Sequence, residues 1–177
     1  MDQPDSRLAR FVAGDTEAFE SLYRDHAAAA RRWVRRIVRD DSAADDVVAE
    51  TFWRVYRARA RMDASRPFGA WLRRIATNVA LDHLRGARRR AREAPLGDRE
   101  VAAVDGHAAR DAREAVVLAF RRLSPRLQIA ATLALVEREP YADIAAALGI
   151  PVGTVKSRVA RAERALRAEL ARLGIRP

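Results

Sequence analysis

Near the carboxy end of the chain, "PVGTVKSRVARAERAL" places Lys156, Ser157 and Arg161 within about a turn of one another if the stretch is helical. Side chains of these types reach guanine edges or phosphate oxygens when a helix lies in a major groove. A spacing of four puts Ser157 and Arg161 on one face. Arg158 and Arg164 suit the neighbouring backbone, because arginine holds a phosphate bidentately. Lys156 is the single lysine among 34 basic residues. A second constellation is acidic: Asp46 and Glu50, one turn apart in "DDVVAETFWRVYR". Three chemistries suit this pair: complementing a helix amino end, holding a metal or doing catalysis, or facing a basic protein. The metal reading lacks a histidine at ligand spacing, since His26, His83 and His107 are scattered.

A third constellation is mixed. Arg74, Asn78, Asp82 and Arg85 recur at spacings of four, four and three, and the stretch ends in Arg88, Arg89, Arg90 and Arg92. Asparagine can bond a base edge, and a basic run that closes an amphipathic helix suits phosphate tracking. The preceding "MDASRPF" suits capture of an extruded base, with Phe68 or Trp71 to stack on it; helical spacing also suits both rings as core.

Helices must position all of these groups. "AGDTEAFESLYRDHAAAARRWVRRIV" begins after Asp15 as N-cap and carries Phe19, Leu22, Tyr23, Trp33 and Ile37 on its apolar face. "DDSAADDVVAETFWRVYRARARM" begins at Ser42 with Asp45 three residues on, a capping-box pattern, and Val48, Phe52, Val55 and Tyr56 form its stripe. After Pro67, Phe68, Leu72, Ile75 and Val79 repeat at spacings of four and three. Residues 93–110 carry Pro95, Gly97 and Gly106 and no sustained period, which predicts a flexible linker. Helical pattern resumes in "DAREAVVLAFRRL". It continues in "SPRLQIAATLALVERE", with Ser124 as N-cap and Pro125 at the first helical position. "YADIAAALGIPVGTVKSRV" then has helix-turn-helix spacing. Ala145 admits close helix approach, Gly149 stops the first helix, and Val155 faces inward with Ile144, Leu148, Ile150 and Val159. The expected fold is all-α: small helical domains over 1–92 and 111–177, the second a helix-turn-helix, each with a modest core.

Composition narrows the partners. The chain has 177 residues, 49% hydrophobic and 33% charged, with net charge +10. A chain this basic and arginine-rich suits nucleic acid; GC-rich codon usage explains the arginine bias equally well. The absence of cysteine excludes disulfides and thiolate metal sites. "MDQPDSRLARFVAGD" has no apolar core for a signal peptide, and "IAATLALV" is too short to span a bilayer. A cytoplasmic protein without membrane insertion is expected. Two function classes besides the one below fit these facts. A helix-turn-helix regulator would bind duplex without a polymerase and give Asp46 and Glu50 no role. A DNA-processing enzyme would need a carboxylate cluster that the sequence lacks.

Taken in order, the motifs resemble the extracytoplasmic-function (ECF) sigma factors, specificity subunits of bacterial RNA polymerase. "GDTEAFESLYRDH" resembles the family's opening helix and "DDVVAETFWRVYR" its clamp-binding helix. "FGAWLRRIATNVALDHLRGARRR" is similar to the promoter-melting helix. The stretch from "LSPRLQ" to "ARAERAL" is similar to the minus-thirty-five reader. The resemblance implies that Asp46 and Glu50, with Asp45, contact the clamp of the largest subunit of core polymerase. It implies that Asn78, Asp82, Arg74, Arg85 and Phe68 lie at the minus-ten element, where the loop 63–68 takes a flipped base. It implies that Thr154, Lys156, Ser157, Arg158 and Arg161 read the minus-thirty-five element. An anti-sigma partner is implied, and no catalysis, metal or cofactor. Pro140 departs from the capping hydroxyl usual in the family, but proline is tolerated at a first turn.

Overall fold

A computed structural model describes residues 6–93 and 108–175; the side chains of Arg92 and of 108–113 are outside the description. Among these residues the chain is helical, with no strand. The amino-terminal part holds α1 (Ser6–Val12), α2 (Thr16–Val38), α3 (Asp41–Ala58), a 3₁₀ turn (Arg59–Arg61) and α4 (Phe68–Glu93). The carboxy-terminal part holds α5 (Ala108–Arg122), α6 (Pro125–Ala131), a wide π turn (Thr132–Val136), α7 (Tyr141–Leu148) and α8 (Val152–Arg172). Most of the segment predicted as linker, 94–107, lies outside the described residues; Glu93 ends α4, and 108–110 already belong to α5.

Local chemistry sets the helix ends. Asp15 caps α2, accepting from the Ala18 amide at 3.1 Å. The cap of α3 is Asp40, which accepts from Ala43 N at 2.7 Å, and not Ser42. The helix therefore starts one residue before Ser42, whose hydroxyl has no orphan amide to serve; Asp45 is freed for another partner. Ser124 and Pro125 open α6 as expected, although only the Ser124 carbonyl bonds, accepting from Gln128 N at 2.8 Å. Pro140 sits at the cap of α7 and its carbonyl accepts from Asp143 N and Ile144 N, both at 3.0 Å, so the helix survives the departure. Gly149 ends α7 at φ 64°, the left-handed conformation that a β-carbon disfavours.

The amino-terminal core is aromatic. Phe11 lies edge-on to Phe68 at 5.9 Å, and Phe19 and Tyr23 meet Phe52 at 6.4 and 4.7 Å. Within it, Trp33 Nε1 donates to Thr77 Oγ1 at 3.0 Å, and that hydroxyl donates to the Arg73 carbonyl at 2.7 Å. This polar contact ties α2 to α4 inside the core. The carboxy-terminal core is aliphatic: Val155 and Val159 close the helix-turn-helix on Ile144 and Ala145, as the spacing predicts. The two cores are not separate, however. One apolar cluster runs from Leu72, Ala76 and Val79 of α4 into Ile129, Leu133, Ile144 and Ala147 of the carboxy-terminal part.

Candidate nucleic-acid interface

α8 presents Lys156, Ser157 and Arg161 to solvent because Val155, Val159 and Ala162 alternate with them on the buried face. Two of the three outward side chains bond their own helix: Ser157 Oγ donates to the Thr154 carbonyl at 3.0 Å and Arg161 Nε to the Ser157 carbonyl at 3.2 Å. Thr154 itself is half-buried in the first turn. Arg158 is partly buried; burial and then the like charges of Arg126 and Arg161 push its guanidinium below the usual arginine range. A phosphate placed there relieves that repulsion, which fits Arg158 to backbone contact.

On α4, Asn78 is exposed. Asp82 and Arg85 also face outward but are not independent. Arg54 of α3 bridges Asp82 to Glu50: its Nε donates to Glu50 at 2.7 Å and its Nη1 to Asp82 at 3.1 Å, while Arg85 donates to the second Asp82 oxygen at 3.3 Å. These bonds to Glu50 and Asp82 raise the Arg54 pKa further above its usual value. Arg54 was not singled out in the sequence. Its spacing of four from Glu50 was legible, whereas its reach to Asp82 is tertiary. Arg74 lies over the helix-turn-helix: a β-carbon built on Gly149 would sit 2.9 Å from Arg74 Nε.

Phe68 is a correction. It is 4% exposed, boxed by Phe11, His26 at 5.0 Å and Trp71 at 6.1 Å, so it holds the base of α4 and offers no stacking surface. The loop before it is pre-shaped: Asp63 Oδ1 accepts from the Ser65 amide at 3.0 Å and from its hydroxyl at 2.6 Å. Those two bonds hold the Asp63 carboxyl below its ordinary range.

The acidic face divides. Asp45 is exposed but ion-paired, accepting from Arg31 Nε at 2.5 Å, and that bond lowers its pKa. Glu50 is held by Arg54. Asp46 is exposed with no ion pair among the described residues. One turn past Glu50 on the same outward face stands Trp53, 56% exposed. Its place off the apolar stripe of Val48, Phe52, Val55 and Tyr56 is the sequence signal for that exposure. Among the described residues no group of three or more His, Asp or Glu lies close enough to hold a metal, and no helix is long and apolar enough to cross a membrane.

This arrangement defines an all-helical, two-part protein that carries a helix-turn-helix and a separate acidic face. Comparison with known proteins gives the family. The model of sigma-70 region 2 matches residues 22–90, and that of sigma-70 region 4 matches 113–166. The chain is 37% identical to the ECF RNA polymerase sigma factor SigM of Mycobacterium tuberculosis, over 94% of this chain and 82% of that protein. It is 32% identical to the RNA polymerase sigma-H factor of Pseudomonas aeruginosa, over 94% and 93%. Among solved structures it resembles CnrH in complex with the cytosolic domain of CnrY, with a TM-score of 0.58, 27% identity and coverage of 96% and 98%. The chain belongs to the ECF sigma factors and is an alternative sigma factor that directs transcription by RNA polymerase.

Proposed function

We propose that the outward face of α3 docks this sigma factor on core polymerase, with Asp46 and Glu50 against basic side chains of the clamp and Asp45 at its edge. In this reading Asn78, Arg74, Asp82 and Arg85 follow the minus-ten element beside the loop 62–67. Lys156, Ser157, Arg158, Arg161 and Thr154 read the minus-thirty-five element. The chain catalyses nothing: exposed bases bound by α4 and its loop supply the energy for strand opening, and polymerase contacts add to it. The observation that carries the reading is Asp46, exposed and without an ion pair among the described residues, on a chain of net charge +10. An acid left uncompensated among so many arginines is suited to a cationic partner surface.

The test is reconstitution. Core polymerase with this chain should give promoter-specific transcripts, and Asp46→Lys with Glu50→Lys should abolish core binding while leaving duplex binding by α8 intact. Folded protein that yields no transcript with active core from any genomic promoter sinks the reading. Unchanged core binding by the double variant returns it to a polymerase-independent regulator. Lys156→Ala should weaken and relax minus-thirty-five preference, by about 1–3 kcal/mol if Lys156 contacts a base.

A second partner class is a protein that masks the α3 and α4 faces, an anti-sigma protein acting in the cytoplasm. The likeness to CnrH, solved with the cytosolic domain of CnrY, supports it. Co-expression with the product of the neighbouring gene should give a stable complex that blocks core binding.

A further inference from the structure

We propose that the outward stripe of arginines at the end of α2 is a binding site for a polyphosphate chain, free or carried by a nucleotide. Arg32, Arg35, Arg36 and Arg39 follow one another at spacings of three, one and three, so all four share one face of the last two turns. The opposite face is spent on the core, with Trp33, Val34 and Ile37 buried. The stripe borders a hollow of about 440 Å³, and Asp41 and Glu137 complete its lining. The site stands apart from the faces proposed for polymerase and promoter, and needs neither.

The stripe is costly to the chain alone. Like charges three and four apart on a helix repel one another. The negative end of the helix dipole offsets part of that repulsion. Nearby acids offset more. Arg35 Nε lies 3.3 Å from Asp41, which Arg31 shares at 3.5 Å. Arg36 pairs with Glu137 at 3.4 Å and with Glu139. Arg32 and Arg39 have no ion pair among the described residues. The lining thus sets four positive charges against two negative ones. Arg39 also holds a left-handed backbone at φ 61°, a conformation that glycine or asparagine takes with less strain.

The lining selects the ligand. Guanidinium groups grip phosphate oxygens bidentately. Arg36, holding two carboxylates at once, already takes anionic oxygens of this kind. Arg32 and Arg39 lie seven residues apart, roughly 10 Å along the helix axis. A chain of phosphoryl groups therefore meets more of the arginines than a single phosphate ion does. No aromatic or apolar side chain lines the hollow, so nothing in it tells one base from another. A DNA backbone suits it less well. The hollow has the volume of a small-molecule site, and the carboxylates of Asp41 and Glu137 repel a continuous strand.

Titration calorimetry on the full chain, at a fixed ionic strength of about 0.15 M, tests the proposal. Tripolyphosphate should bind saturably at one site, and inorganic phosphate far more weakly. ATP and GTP should bind equally. Their rank against tripolyphosphate names the source: tighter triphosphates point to a nucleotide, tighter tripolyphosphate to free polyphosphate. Arg32→Ala and Arg39→Ala should each weaken tripolyphosphate by about tenfold, the worth of one charge-assisted hydrogen bond. Arg32→Lys keeps the charge but loses the fork, so a smaller loss is expected. Arg24→Ala and Arg167→Ala remove the same charge from exposed positions elsewhere and should leave the affinity nearly unchanged. Glu137→Gln with Glu139→Gln frees Arg36 and should tighten binding. Thermal melts without ligand confirm that each variant is folded. Absence of saturable binding overturns the proposal, as do equal losses from Arg24→Ala and Arg167→Ala. It is also overturned if Arg32→Ala and Arg39→Ala lower duplex DNA affinity and leave tripolyphosphate binding intact, which assigns the stripe to DNA instead.

Discussion

The two halves of this sigma factor solve the same problem with different materials. The amino-terminal half is held by rings: Phe11, Phe19, Phe52 and Phe68 interlock, and Trp33 is pinned to Thr77 across α2 and α4. The carboxy-terminal half is held by aliphatic groups, large ones such as Ile129, Leu133 and Ile144 between small ones such as Ala119, Ala131 and Ala162, and by the left-handed Gly149 that ends α7. Rings reach across several helices, so the surface of the first half is assembled from α3, α4 and the loop between them. The second half presents Lys156, Ser157 and Arg161 from a single helix, α8. The first surface is tertiary, and its charges are cross-linked by Arg54. The second is local.

The largest expected effect tests the materials directly. Phe52→Ala should destabilise by about 3–5 kcal/mol, because it removes a ring from a packed aromatic cluster. Val155→Ala removes the equivalent of two methylenes and should cost only about 1.5–2 kcal/mol. Urea unfolding of both variants checks the ranking; an equal or reversed order breaks the comparison.

Next comes the turn. Gly149→Ala strains a backbone at φ 64° and collides with Arg74, so a loss of about 1–2 kcal/mol is expected. Gly149→Asn should cost less in backbone strain, since asparagine visits this region, but it retains the collision. The Arg74→Ala background separates the two contributions: if it does not lessen the cost of Gly149→Ala, the collision plays no part.

Helix caps differ between the halves in the same sense. Asp40 makes a side-chain cap bond and Ser124 makes none. Asp40→Ala should therefore cost about 1 kcal/mol, and Ser124→Ala a few tenths. Thermal melts that show equal shifts would blur this distinction.

The smallest effect is a pH dependence confined to the first half. Burial, set against Asp25 and reinforced by Arg7, pushes the His26 imidazole below its ordinary pKa. Unfolded His26 thus binds a proton more readily than folded His26, and stability falls as pH drops through about 6.5 toward the lower folded value. His26→Gln should flatten the stability profile between about pH 7 and 5. An unchanged slope assigns the dependence to other groups.

How far the sequence was legible follows the same division. The Ala145, Gly149 and Val155 pattern located the helix-turn-helix, and Lys156, Ser157 and Arg161 emerged on the expected face, because helix periodicity is enough to orient them. α1 is not legible in the sequence: seven residues carry too little periodicity, and Phe11 meets Phe19 of α2 and Phe68 of α4. Asp40 and Ser42 are both good cap residues by sequence, and the structure gives the cap of α3 to Asp40, two residues before Ser42. Asp45 and Asp46 look alike in sequence; Arg31, fourteen residues before Asp45, neutralises one and leaves the other. Phe68 satisfied both a core pattern and a stacking role, and only its neighbours on α1 and α2 decided for the core.

Helical fold, family and the order of the DNA-reading elements were determined by the sequence alone, because all three depend on local periodicity and short motifs. Tertiary structure decided which acids remain unpaired, which aromatic ring is hidden and that α4 packs on the helix-turn-helix. Each of those depends on a partner far along the chain. Helix periodicity orients a side chain relative to its own helix, and it says nothing about what the opposing helix presents.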